Sequence, residues 1–185
     1  MEIEAEKSAD KKLNSFVAIT VLIVSVFLAI SKLKDDNIVR RMEFVKADSV
    51  DVWNEYQAER IKLHGDENAI GAATLLPSRN AQAAEAEKAR LEKQIAKYAS
   101  QSNQLADKAR SADALYKTLE FRHDQFDIED GILSITLALT AVAALTETYW
   151  LLVVGWVFAG MGIFMGFAGL LEWSVHPEFL ARFLG

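Results

Sequence analysis

The chain has 185 residues, 51% hydrophobic and 25% charged, with a net charge of -6 and a mean hydropathy of +0.10. The absence of cysteine excludes disulfides, thiolate metal sites and thiol nucleophiles. Two prolines and nine glycines are too few for a turn-rich all-β fold, and the acidic balance argues against general nucleic-acid binding, which needs a basic face against phosphate.

The near-zero hydropathy averages two different bodies. Residues 1–12 form a polar, acidic tail. Phe16 to Ile30 is fifteen residues without a charge, and with its flanks it predicts a membrane span over 13–31. A signal peptide is the rival reading. The long acid-bearing leader and the lack of a convincing A-x-A site weigh against it.

Residues 32–130 carry 16 of the 20 Lys and Arg and 19 of the 26 Asp and Glu, the mark of a soluble body. Ile38, Met42, Val45, Ser49, Val52, Tyr56, Glu59 and Leu63 follow 4-3-4-3 spacing, which predicts a helix over 33–64 with one buried face. Gly65 to Asn80 holds Gly and Pro and reads as a linker over 65–80. From Ala81 to 130 a heptad seam includes Leu91, Ile95, Leu105, Leu119, His123 and Phe126. A seam of this kind needs a partner helix. The helix 33–64 of the same chain would give an antiparallel hairpin, and a second copy would give a coiled coil. The two can coexist.

The charges stop after Asp130. Residues 131–147 and 149–172 read as two further spans joined by a very short turn, with Tyr149–Trp150 and Trp173 at the ends of the last one. The heptad register is expected to run on through Leu133, Leu137, Thr140 and Ala144. Residues 173–185 read as a short interfacial helix. Five basic residues follow the first span (Lys32, Lys34, Arg40, Arg41, Lys46) against three before it (Lys7, Lys11, Lys12), which places the helical body in the cytoplasm. The fold class expected is all-α: an integral membrane protein with three spans and a long antiparallel helical hairpin.

Candidate chemistry is sparse. His64, His123 and His176 lie in separate segments without ligand spacing, so neither a metal nor a cofactor is expected. No catalytic set or small-molecule substrate can be assigned, and the chain reads as a non-enzyme. In the last span Gly155, Ala159, Gly162, Gly166 and Gly169 line up small residues on one face, a helix-packing surface for this chain or another. Thr136, Thr140 and Glu147 share a face of the second span. They line a pore in one reading; in the other, the threonines bond their own i−4 carbonyls and Glu147 sits at the wet interface.

Trp53, Tyr56 and Gln57 in the string A47-D-x-x-x-x-W53-x-x-Y56-Q57-A58, then R122-H123-x-x-F126, then I135-T-L-A-L-T before Tyr149–Trp150, resemble the bacterial family known as domain of unknown function 4337. The resemblance covers roughly 13–172. It implies a multi-pass protein of the bacterial inner membrane and no particular activity. The functional expectation is a homo-oligomeric scaffold in the lipid bilayer. An ion channel or transport component, and an accessory subunit of a larger membrane complex, are the alternatives.

Overall fold

The computed structural model describes residues 2–75 and 80–173, with side chains from residue 11 onward. These residues form three α-helices and, among them, no strand: α1 Glu2–Leu75, α2 Ala81–Thr146 and α3 Tyr149–Leu170. Each contains a stretch long and apolar enough to cross a membrane. The expected interfacial helix at 173–185 lies outside the described residues, apart from Trp173.

The helix expected over 33–64 is longer at both ends. It is continuous with the apolar 13–31 segment and runs through Gly65 and Gly71 to Leu75. Glycine costs a helix only about 1 kcal/mol, whereas proline removes a hydrogen bond and clashes with the preceding turn. A linker beginning at residue 65 is therefore corrected: Gly65 does not end the helix, and Asp66 and Ile70 extend its inward stripe, both half-buried. Asn80 starts α2, its Oδ1 accepting the Ala83 amide at 3.2 Å as an N-cap.

The chain divides into two compact units, residues 42–118 and residues 1–41 with 119–185. In the first, α1 buries Met42, Val45, Ser49, Val52 and Leu63, and α2 buries Leu91, Ser102, Ala106 and Ala109. Partner numbers fall along α2 as they rise along α1: the Lys46 ammonium lies over Tyr116 and that of Lys62 over Tyr98. The pair is antiparallel, with the heptad faces turned to each other within one chain. A fully buried Val or Leu in such a stripe contributes about 1.5–3 kcal/mol. Two polar groups are built into it. The Ser49 hydroxyl donates to Asp113 Oδ1 at 2.7 Å and the Trp53 indole N–H to Oδ2 at 3.3 Å.

The other unit packs three helices. One buried cluster joins Leu13, Ala143 and Leu152, and a second joins Val24, Leu133 and Ala159, one residue from each helix in both cases. The expected register on α2 is refined. Leu133, Thr136, Thr140 and Ala143 are fully buried, while Leu137 and Ala144 are only half-buried. The reason is that α2 here serves two neighbours, so its covered stripe turns toward α3.

The C-terminal ends of α2 and α3 use the same backbone device. Glu147 and Glu172 adopt positive φ (52° and 60°), and the amide that follows each glutamate reaches back, Thr148 N–H to Ala143 O and Trp173 N–H to Ala168 O. This is a Schellman closure with glutamate where glycine is favoured.

Candidate functional site

The small-residue face of α3 packs on α2 of the same chain. A Cβ added at Gly162 would lie 2.5 Å from Leu133 Cδ2, one at Gly169 would lie 2.9 Å from the Phe126 ring, and one at Gly155 would touch Thr140 and Leu139. Ala159 is buried beside them. Close approach of the two backbones needs these residues to be small.

Thr136 and Thr140 are fully buried in this interface. Their hydroxyls donate to the i−4 carbonyls of Ile132 and Thr136, and Glu147 stands exposed in the turn. The structure does not bring Glu147 to the two threonines. Among the other residues singled out by sequence, Leu91 and Leu119 are buried and Ile95 and Leu105 half-buried. Trp53 and Tyr56 stack edge-on with ring centroids 5.4 Å apart, and Gln57 is exposed.

His123 lies where polar groups converge. The antiparallel pairing carries Asp35 of α1 to within 2.6 Å of it, Asp35 Oδ1 facing Nδ1. One turn along α2, Asp127 Oδ2 lies 3.6 Å from Nε2. One ligand atom from each of Asp35, His123 and Asp127 lies within 4.8 Å of the others. Asp35 is buried, and its second oxygen meets the exposed Lys32 ammonium at 3.2 Å. Below this group sits Glu129, 1% exposed, pressed against the place where Gly166 lacks a Cβ. Ser31, Lys32, Asp35, Asp127, Glu129 and Asp130 share one small cavity of about 10 Å³. Neither oxygen of Glu129 has a hydrogen bond of proper geometry, nor does the Ser31 hydroxyl, although that hydroxyl faces the carboxylate closely enough to favour its charged form.

The electrostatics follow from this crowding. For His123, burial disfavours the imidazolium, but the hydrogen bond to Asp35 and the fields of Asp127, Asp35 and Asp124 outweigh it and raise the pKa. Glu129, two residues before the apolar 131–147 segment, is pushed up to about 7. Burial is the main cause, and the Asp130 and Asp35 carboxylates add to it. Lys32 is held above its ordinary value by its hydrogen bond to Asp35.

Two further contacts fix the neighbourhood. Arg122 donates twice to the Glu172 carboxylate, both at 2.8 Å. Gln125 Nε2 donates to the Trp173 carbonyl at 2.9 Å. Sequence reasoning on histidine spacing missed Asp35 because it lies 88 residues from His123, and passed over Asp127, one turn along the same helix. The available signal was periodic. Ser31 and Asp35 continue the inward stripe of α1, as His123 and Glu129 do on α2, and polar residues on both facing stripes at one level predict that they meet.

An all-α chain with three membrane-length apolar helices and an antiparallel helix pair defines the class. Residues 13–172 match the family described as Domain of unknown function (DUF4337), and the chain belongs to it. No curated protein and no solved structure matches it.

Proposed function

We propose that the chain is a non-enzymatic, multi-pass membrane scaffold that self-associates, with its charged helical hairpin on the cytoplasmic side of a bacterial inner membrane. The supporting observation is the inverted polarity of the three-helix unit. Leu22, Ile23 and Val26 of α1, Ile135 and Val142 of α2, and Val153, Val157 and Phe164 of α3 all point outward. Thr20, Thr136, Thr140 and Glu129 point inward. In water this arrangement would expose a large apolar surface, whereas hydrocarbon solvates it.

Self-association rests on the hairpin unit. Val50, Ile61 and Leu75 are exposed on α1 at spacings of 11 and 14 residues, close to three and four helical turns, so they share one side. A second copy of the chain would cover that side. Light scattering of the full chain in mild detergent tests this. A mass of two or more chains is expected, reduced by Val50→Asp with Ile61→Asp. A monomer for the unaltered chain overturns the scaffold reading.

A further inference from the structure

We propose that the outer face of α1 over 47–75 is a coiled-coil surface that pairs with the same face of a second copy of this chain, parallel and in register. This rests on the self-association proposed above and goes further, because it names the residues, the direction and the register.

A second heptad series carries the inference. The inward stripe of α1 is spent on α2 of the same chain. One or two residues after each of its members, and so on the back of the helix, positions 47, 50, 54, 57, 61, 64, 68, 71 and 75 follow 3-4 spacing, and all are exposed. Val50, Ile61 and Leu75 supply its apolar part. The stretch 44–75 holds nine Asp, Glu, Lys and Arg, and none falls on those positions. A solvated helix face carries its charges outward, whereas here they flank an uncharged stripe. The stripe runs for four heptads, the length at which such a pattern signifies a coiled coil.

The glycines of α1 point the same way. A Cβ at Gly65 or Gly71 would have nothing within 4 Å, so packing within the chain does not require either. Each nonetheless costs the helix about 1 kcal/mol relative to alanine. Gly71 lies on the stripe, and Gly65 lies beside it, seven residues from Ala58 and from Ala72. Small residues there let a second backbone approach closely.

Polar groups choose the occupant. A face that pairs with itself across a two-fold axis must complement itself. Asn54 and Asn68 stand two heptads apart on the row 47, 54, 61, 68 and 75. In a parallel, in-register pair each carboxamide meets its own copy and can both donate and accept. A slip of one heptad would set both against Ile61 and leave the amides unsatisfied. An asparagine on this row thus fixes register and favours two strands. Lys46 borders the stripe on one edge and Asp51 on the other, five residues on, the step at which opposite charges of two parallel helices meet. Direction follows from α1 being one helix from Glu2 to Leu75 that contains the apolar 13–31 segment. Copies inserted into a bilayer the same way run parallel.

The chain lacks cysteine, so single cysteines read the stripe directly. Val50→Cys, Gln57→Cys and Gly71→Cys fall on its other row and replace exposed residues, which leaves the hairpin contacts intact. Equivalent residues of a parallel, in-register pair face each other there, within the about 4.4–6.8 Å between Cα atoms that a disulfide spans. Glu55→Cys, exposed but off the stripe, is the control. Each full-length variant is oxidised in mild detergent and run on a denaturing gel, with light scattering alongside. Dimer-sized product is expected from all three, and about tenfold less from Glu55→Cys. Linking at Gln57→Cys alone would mean an antiparallel pair, and equal linking in all four variants would mean random collision; either overturns the inference. A chain that scatters as two or more copies while Val50→Cys and Gly71→Cys stay unlinked overturns this stripe and leaves self-association standing. A monomer by light scattering overturns both.

Discussion

At the scale of single residues, the structure is governed by where a side chain must be absent and where a charge must be received. Gly162 and Gly160 make the contrast. A Cβ at Gly162 would meet Leu133 at 2.5 Å, whereas one at Gly160 has nothing within 4 Å. Gly162→Val should therefore lose about 1–3 kcal/mol of stability relative to Gly160→Val, read by thermal unfolding in detergent. Equal loss in the two variants would contradict the packing of α3 on α2. Asp113 illustrates the received charge. The hydrogen bond from Ser49, then that from the Trp53 indole, hold its carboxyl below the ordinary 3.8. A depressed carboxylate contributes stability above its unfolded value, and that contribution is lost as pH falls through the folded one. The Trp53 indole N–H resonance should thus titrate with a midpoint below 3.8. A midpoint above 3.8 would show that the pair does not form.

At the scale of elements, helix ends set the connections. Both α2 and α3 close with glutamate at positive φ, a conformation that costs an L-residue about 1–2 kcal/mol. Glu147 is exposed, and neither a hydrogen bond nor an ion pair offsets its strain among the described residues. Glu172 differs, because Arg122 grips its carboxylate with two bonds. Glu147→Gly should raise the thermal midpoint by the equivalent of about 0.5–1 kcal/mol. Glu172→Gly should gain less, since it gives up the Arg122 pair. Matching gains would mean that the pair contributes nothing, as many exposed ion pairs do. The extension of α1 through Gly65 and Gly71 belongs to this scale as well. Both positions are open, so glycine there costs only its backbone entropy, and the neighbouring turns carry the helix on.

At the scale of the molecule, the question was which copy supplies the partner for each heptad face. The described contacts place it within one chain. Because the sequence contains no cysteine, a single engineered pair can report on this. Ser49→Cys with Asp113→Cys, at positions whose side chains now touch at 2.7 Å, should oxidise to a monomer-sized product on a denaturing gel. Dimer-sized product in its place would mean that the seam is exchanged between copies. Self-association would then rest on this face and not on the exposed side of α1.

The sequence by itself determined the all-α class, the three apolar segments, the inward stripes and the small-residue face of α3. Each of these is a periodic or compositional property, and periodicity survives without knowledge of the partner. Tyr56 was legible on the inward stripe of α1 for the same reason. Tertiary structure alone decided what each face meets: α3's glycines lie on α2, and Thr136 and Thr140 are buried there. It also decided that Asp35 joins His123, Asp127 and Glu129. That meeting depends on the register of two helices running in opposite directions, which is fixed by the summed packing of many residues. No local spacing in the chain encodes it.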